Sequence, residues 1–201
     1  MKSPTSGKRF ITVAAHGFPA SVGDSVYHPR VCLINGVPDA RHEIAVIDRK
    51  FGDTDIALAQ LKPSIHYSGE TFSDPGSGQP QAQPFRSLKN PETLRLGDTV
   101  FMNTPVNGQC EGVHVTTEWT LSFEASEDNP QESKTHCEVT IFTYWGNGSD
   151  IFFEGCCGGV IWDRNFDVLG QFRFQEKDGQ KRVCSPSFKA LIDQGYQLST
   201  V

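Results

Sequence analysis

Short apolar runs, most of them alternating with polar residues and broken by Gly, Pro or Asp, recur along the chain. A period of two places alternate side chains on one face of a pleated strand. Runs at 9–15, 31–34, 43–48 and 56–61 predict a first group of strands. Those at 99–103, 112–124, 135–144, 157–162, 167–175 and 182–184 predict a second. Between the groups, 73–84 reads Ser-Asp-Pro-Gly-Ser-Gly-Gln-Pro-Gln-Ala-Gln-Pro, whose only apolar side chain is one alanine. That is linker composition, and it places an expected boundary between an N-terminal half, 1–84, and a C-terminal half, 85–201. The polar stretch 126–134 predicts an exposed hairpin loop. Only 187–195 predicts a helix: it begins with Ser187, spaces apolar residues one turn apart and stops at Gly195. The expected class is all-β with a short C-terminal helix, and the sequence shows no internal repeat.

Composition narrows the function classes. At 201 residues the chain suits one core or two small ones. Nineteen glycines and twelve prolines, scattered rather than periodic, favour many turns over long helices. A net charge of −6 argues against nucleic acid as a partner, because a general nucleic-acid binder carries a basic face. No apolar run approaches the roughly 18 residues of a membrane-spanning helix, so no membrane association is expected. Residues 1–9 carry charge without a following apolar stretch of signal-peptide type. The expectation is a cytoplasmic protein or a domain of a larger one. The six cysteines, at 32, 110, 137, 156, 157 and 184, are then expected as free thiols. There is no Cys-x-x-Cys pair and the histidines lack ligand spacing, so neither a metal nor a cofactor is expected. Asn147-Gly148-Ser149 is formally a glycosylation sequon and reads here as a turn.

The candidate chemistry sits at Gly155-Cys156-Cys157-Gly158-Gly159, which runs straight into Val160-Ile161-Trp162. A Gly-x-nucleophile-Gly-Gly turn aims successive backbone N–H groups at one point, the geometry that stabilises an oxyanion. A thiol at its centre needs less activation than a hydroxyl. If the neighbouring cysteines lie on a strand they face opposite sides, one buried and one reactive. Two upstream segments add to this. An apolar strand ends in Ala14-Ala15-His16, and Asp53-Thr54-Asp55-Ile56-Ala57-Leu58 sets an acid before a strand. His16, Asp55 and Cys157 follow in that order, 39 and then 102 residues apart.

These motifs resemble those of the chymotrypsin-fold proteases, which read Thr-Ala-Ala-His, Asp-Ile-Ala-Leu and Gly-Asp-Ser-Gly-Gly in the same order. Gly-x-Cys-Gly-Gly is similar to the turn of the viral cysteine proteases on that fold, of the picornaviral and potyviral kind. The order of the residues separates the pattern from subtilisin-type and α/β-hydrolase triads. The resemblance runs from about Phe10 to about Tyr196. It implies two antiparallel β-barrels closed by a C-terminal helix, and a peptidase acting on peptide or protein substrates. Cys157 is then the nucleophile, His16 the general base and acid, and Asp55 the group that orients the imidazole. Asp53 is the substitute for Asp55, which is preferred because Asp-Ile-Ala-Leu gives the family register. The N–H groups of Gly155 and Cys157 form the oxyanion hole. His28, His42, His66, His114 and His136 lack comparable context.

Three departures stand out. Family members carry one or two strands before the histidine motif, whereas His16 comes almost at once. The first barrel is therefore expected to be incomplete, or its missing strand to come from residues beyond this stretch or from another chain pairing with its open edge. Cys156 stands where the serine enzymes hold an aspartate that pairs with a freed N-terminus, so proteolytic activation is not implied. The segments corresponding to the specificity pocket, Ile151-Phe152-Phe153 and Gly170-Gln171-Phe172-Arg173-Phe174, hold no acid for a basic side chain and no histidine of the glutamine-specific kind. An apolar or small substrate side chain is expected, although Ile and Phe here read equally as barrel core. Arg173 reads either as a partner for an acidic substrate group or as a strand-end arginine, and the 171–174 edge as a place for an extended peptide. Three functions fit: a peptidase with a Cys-His-Asp triad, a serine protease whose nucleophile is replaced by Cys157, and a non-cleaving module that binds extended peptides or partner proteins.

Overall fold

The computed structural model describes residues 1–15, 22–28, 32–34, 37–39, 42–51, 54–66, 83–104, 108–122, 135–145, 156–175 and 182–199. Its first sheet is built from β1 (Phe10–Ala14), β2 (Ser25–His28), β5 (His42–Phe51) and β6 (Ile56–Leu61), in the order β1-β6-β5-β2. A separate hairpin joins β3 (Cys32–Ile34) to β4 (Val37–Asp39). The second sheet holds β7 (Thr99–Thr104), β8 (Gly108–Ser122), β9 (Thr135–Trp145), β10 (Val160–Asp163), β11 (Val168–Gln171), β12 (Phe174–Gln175) and β13 (Arg182–Pro186). Its order is β11-β10-β7-β8-β9-β13-β12. All pairings within these sheets are antiparallel.

The fold is all-β, as the alternation predicts, and curvature comes from irregularities in the ladders. Register shifts occur between Ile47 and Arg49 on β5 and between His114 and Thr116 on β8. An extra residue bends a strand and increases its twist, which lets a sheet curl. The second sheet curls until β11 lies against β13. A Cβ on Gly170 would sit 2.1 Å from the Ser185 Oγ, so only glycine permits that approach.

Of the four apolar clusters among the described residues, three hold the layers. One, with Ala45, Ile47, Ala57, Ala59 and Leu61, fills the first sheet. Another, with Val100, Met102, Phe142, Tyr144, Ile161, Leu169 and Val183, fills the second. The third joins the two: Phe10, Phe51, Ile56 and Leu58 of the first sheet meet Val168 of the second, and Phe188, Leu191 and Tyr196 of the C-terminal segment close over them. Fully burying a side chain such as Leu191 contributes about 1.5–3 kcal/mol. This third cluster therefore fixes how the sheets face each other.

Several expected boundaries move. The run 157–162 becomes a strand only from Val160, because 156–159 forms a turn. The run 167–175 divides into β11 and β12 around Phe172 and Arg173. β2 and β4 were not predicted, being three or four residues long with a proline inside β4. The helix α1 is shorter than expected, Lys189–Asp193; Ser187 sits before it and accepts the Lys189 N–H at 3.2 Å. The expected stop glycine, Gly195, lies two residues past the helix end at φ +77°, with the N–H groups of Gly195 and Tyr196 bonded to the carbonyls of Ile192 and Leu191. The loop at 126–134 and all but the last two residues of the linker at 73–84 lie outside the described residues. So does the sequon at 147–149. Among the described residues no helix is long and apolar enough to cross a membrane, and no group of His, Cys, Asp or Glu is arranged to hold a metal ion.

The outer edge of β1 meets the chain's own first residues. The Phe10 N–H donates to the Met1 carbonyl at 2.7 Å, and Lys2 exchanges backbone hydrogen bonds with Gln197.

Candidate active site

The two sheets meet at a seam where β6 begins and β11 ends. Phe51 pairs with Ile56, and Thr54 and Asp55 form the turn that leads into β6. The Thr54 hydroxyl donates to the Phe51 carbonyl at 2.8 Å within that turn. Asp55 is its last residue and has φ +54°. Aspartate visits this left-handed region more readily than most residues, but the conformation still costs about 1–3 kcal/mol and persists only where the surroundings hold it. Here the Asp55 carbonyl accepts the Ala15 N–H at 2.9 Å and a long 3.5 Å contact from Gln171 Nε2. The side chain is buried, and its Oδ2 lies 2.7 Å from Arg173 Nε.

On the other side of the seam Cys156, Cys157, Gly158 and Gly159 form a β-turn, closed by the Gly159 N–H on the Cys156 carbonyl at 2.9 Å. Gly158 occupies its third position at φ +87°, where a side chain would be strained. The turn is stitched to the strand end opposite. Gly158 N–H donates to Phe172 O at 2.9 Å, and Phe172 N–H donates to Gly159 O at 2.7 Å. The adjacent cysteines separate as expected, though by a turn rather than by a strand. Cys156 points into the second core at 2% exposure, while Cys157 is half-buried at the seam. The Cys157 thiol donates to the Arg173 carbonyl at 3.3 Å.

Arg173 thus touches both candidates: its guanidinium holds the acid and its carbonyl holds the thiol. Its own N–H is anchored on the Cys184 carbonyl at 3.0 Å. Burial pushes the Cys157 thiol above its ordinary range. The Arg173 cation pulls it back, and the Asp55 carboxylate and then Cys156 raise it.

Of the residues singled out in the sequence, Asp55, Cys157, Gln171, Phe172 and Arg173 are described, and they converge on this seam. Gln171 is buried at 1% exposure, and Phe172 is buried in the second core. His16, the oxyanion-hole glycine Gly155, the pocket residues Ile151, Phe152 and Phe153, and the alternative acid Asp53 lie outside the described residues. The sequence reading missed the role of Arg173 towards Asp55. The available signal was weak: positions 171 and 173 are two apart near a strand end, and both turn towards the acid of the other sheet.

No protein-family model matches the chain, and no curated protein matches it. Solved structures do resemble it. A glutamic acid-specific serine protease superposes with a TM-score of 0.63 at 14% identity, covering 97% of this chain and 89% of that one. The Nocardiopsis protease gives 0.61 at 15% identity, covering 95% and 85%. The chymotrypsin of Cellulomonas bogoriensis gives 0.57 at 10% identity, covering 94% and 84%. At such identities the likeness is one of fold, and the fold of this chain is that of chymotrypsin.

Proposed function

We propose that this protein is a peptidase that cuts peptide bonds with Cys157 as nucleophile, His16 as general base and acid, and Asp55 as the orienting acid. The observation that carries the reading is the convergence of Asp55 and Cys157, distant in sequence, on the two ends of Arg173. The bond from Ala15 to the Asp55 carbonyl supports it too, since Ala15 immediately precedes His16. In the reaction the Cys157 proton passes to the imidazole and the sulfur attacks the scissile carbonyl carbon. The N–H groups of Gly155 and Cys157 receive the oxyanion. As the tetrahedral adduct collapses, the C–N bond breaks and the imidazolium protonates the leaving amine. Water, deprotonated by the same imidazole, then hydrolyses the thioester and frees the thiol. The halves 1–84 and 85–201 would each contribute one side of this seam. An extended peptide would pair along the 171–174 edge, its apolar or small side chain entering a pocket of Ile151, Phe152 and Phe153 flanked by Gln171, Phe172 and Arg173.

A second reading, a non-cleaving module for extended peptides, draws on the half-burial of Cys157, since burial disfavours the thiolate. The third, a serine-type enzyme carrying a cysteine, differs from the first only in the atom at position 157. The test treats the protein with limiting iodoacetamide near pH 6.5, maps the labelled cysteines by mass spectrometry, and assays a peptide library in parallel. An ordinary thiol, with pKa about 8.5, is almost wholly protonated at that pH. The peptidase reading expects Cys157 to label first, His16→Ala to abolish that preference, and Cys157→Ala to abolish cleavage. Cleavage that rises sharply in Cys157→Ser identifies the serine-type enzyme. Peptide binding without turnover in every variant leaves the non-cleaving module.

A further inference from the structure

We propose that Arg173 is a positioning residue of this site: its guanidinium fixes the Asp55 carboxylate while its backbone carbonyl holds the Cys157 thiol. One residue in the break between β11 and β12 thereby registers the acid at the start of β6 against the nucleophile. The inference rests on the peptidase reading and deepens it.

Geometry carries the proposal. The Nε–Oδ2 distance of 2.7 Å is that of a charge-assisted bond, and the acid is buried while the arginine side chain is 24% exposed. Asp55 belongs to a turn at φ +54°, and the Arg173 guanidinium holds its carboxylate from outside that turn. Arg173 can do so because its own backbone is pinned twice, by its N–H on Cys184 and by its carbonyl under the thiol. A carboxylate accepts several hydrogen bonds, so one gripped by a guanidinium can still orient an imidazole N–H. The arginine also offsets a conflict built into the seam. Asp55 is close enough to oppose formation of a thiolate at Cys157, and the guanidinium lies close enough to compensate. Among the described residues the charged and titratable groups acting on the thiol are Arg173, Asp55 and Cys156.

The experiment measures the rate of Cys157 alkylation by iodoacetamide from pH 5.5 to 10, resolved by mass spectrometry. The proteins are the unmodified chain, Arg173→Gln, Arg173→Lys and Asp55→Asn, with circular dichroism to check the fold. Arg173→Gln is expected to raise the midpoint by about one pH unit, slowing alkylation at pH 7.5 about tenfold. Arg173→Lys restores most of the shift, since the charge remains. Asp55→Asn moves the midpoint the other way. A folded Arg173→Gln protein with an unmoved or lowered midpoint overturns the proposal. If Arg173→Gln does not fold, the double variant Asp55→Asn/Arg173→Gln removes the ion pair as a unit and is compared with Asp55→Asn alone. A midpoint about one unit higher in the double variant supports the proposal, and identical midpoints overturn it. Failure of the peptidase reading shows separately, as absent turnover in the unmodified chain and a His16→Ala profile superimposable on it. The Arg173 shift is read on the thiol itself.

Discussion

Two buried aspartates, each bonded to a cation, make an instructive pair. Asp163 is 5% exposed and lies 2.8 Å from Lys89 Nζ; Asp55 is 6% exposed and lies 2.7 Å from Arg173 Nε. By burial and pairing alone they are the same feature. Their surroundings differ. Asp163 Oδ1 accepts the backbone N–H groups of Asn165 and Asp167 at 2.8 and 3.1 Å, so the carboxylate closes the turn from β10 to β11. Its work is local and structural. Asp55 instead sits in a left-handed turn before β6, is gripped from the break between β11 and β12, and shares its partner with a thiol. A buried ion pair by itself is weak grounds for function. What the second site adds is a nucleophile and a conformation held from outside.

The largest effect that separates the two pairs should come from Asp163→Ala. It leaves Lys89 without its carboxylate and two turn N–H groups without their acceptor. About 2–3 kcal/mol of stability is expected to go, read as a lower urea midpoint, because two turn N–H groups lose their acceptor, while Lys89, 30% exposed, can turn to water. The pH profile of Cys157 alkylation should stay where it was. A stability loss within about 0.5 kcal/mol would mean that the turn is held by other bonds. Arg173→Gln should show the converse signature, a moved thiol profile, with a stability loss of comparable size because it strands the buried Asp55 carboxylate.

An intermediate effect is expected from Gly158→Ala, which forces a side chain into the left-handed position of the nucleophile turn. About 1–2 kcal/mol should be lost in chemical denaturation, and selective Cys157 labelling should weaken because the turn presents the thiol. Unchanged labelling would separate the turn's geometry from the thiol's reactivity.

The mildest effect should be a gradual loss of stability in alkali. Cys110 and Cys157 are raised from an ordinary 9.0, and Tyr144 is raised well above 10.0, in each case chiefly by burial. A group that holds its proton longer when folded stabilises the fold fully below its unfolded pKa. That contribution shrinks as pH climbs past about 9 towards the raised folded values. Urea midpoints at pH 7 and pH 10 measure it. A midpoint that rises with alkali would show that these groups are not buried as neutral acids.

Much of this fold is legible in the sequence, and the reason is local. Strand β6 was read without error because Ile56–Leu61 places apolar side chains on an uninterrupted pleated ribbon next to a turn-forming Asp-Thr-Asp. The stop after α1 was read correctly because glycine at φ +77° is a requirement of the chain itself. β2 and β4 escaped because three or four residues cannot show a period. The break between β11 and β12 escaped because nothing in Gln171-Phe172-Arg173 punctuates the strand. The interruption there comes from bonds to the nucleophile turn and to Cys184.

The same division holds for the site. By itself the sequence determined which side chains are chemically capable, their order along the chain and the backbone freedom of the glycine turn, since these are properties of neighbouring residues. Only the tertiary structure decided that Asp55 would be gripped by Arg173, and that the same residue would hold the Cys157 thiol. Those contacts depend on how two sheets pack through the shared cluster of Phe10, Phe51, Ile56, Leu58, Val168 and Phe188. The buried area of many side chains at once sets that packing, and no local pattern contains it.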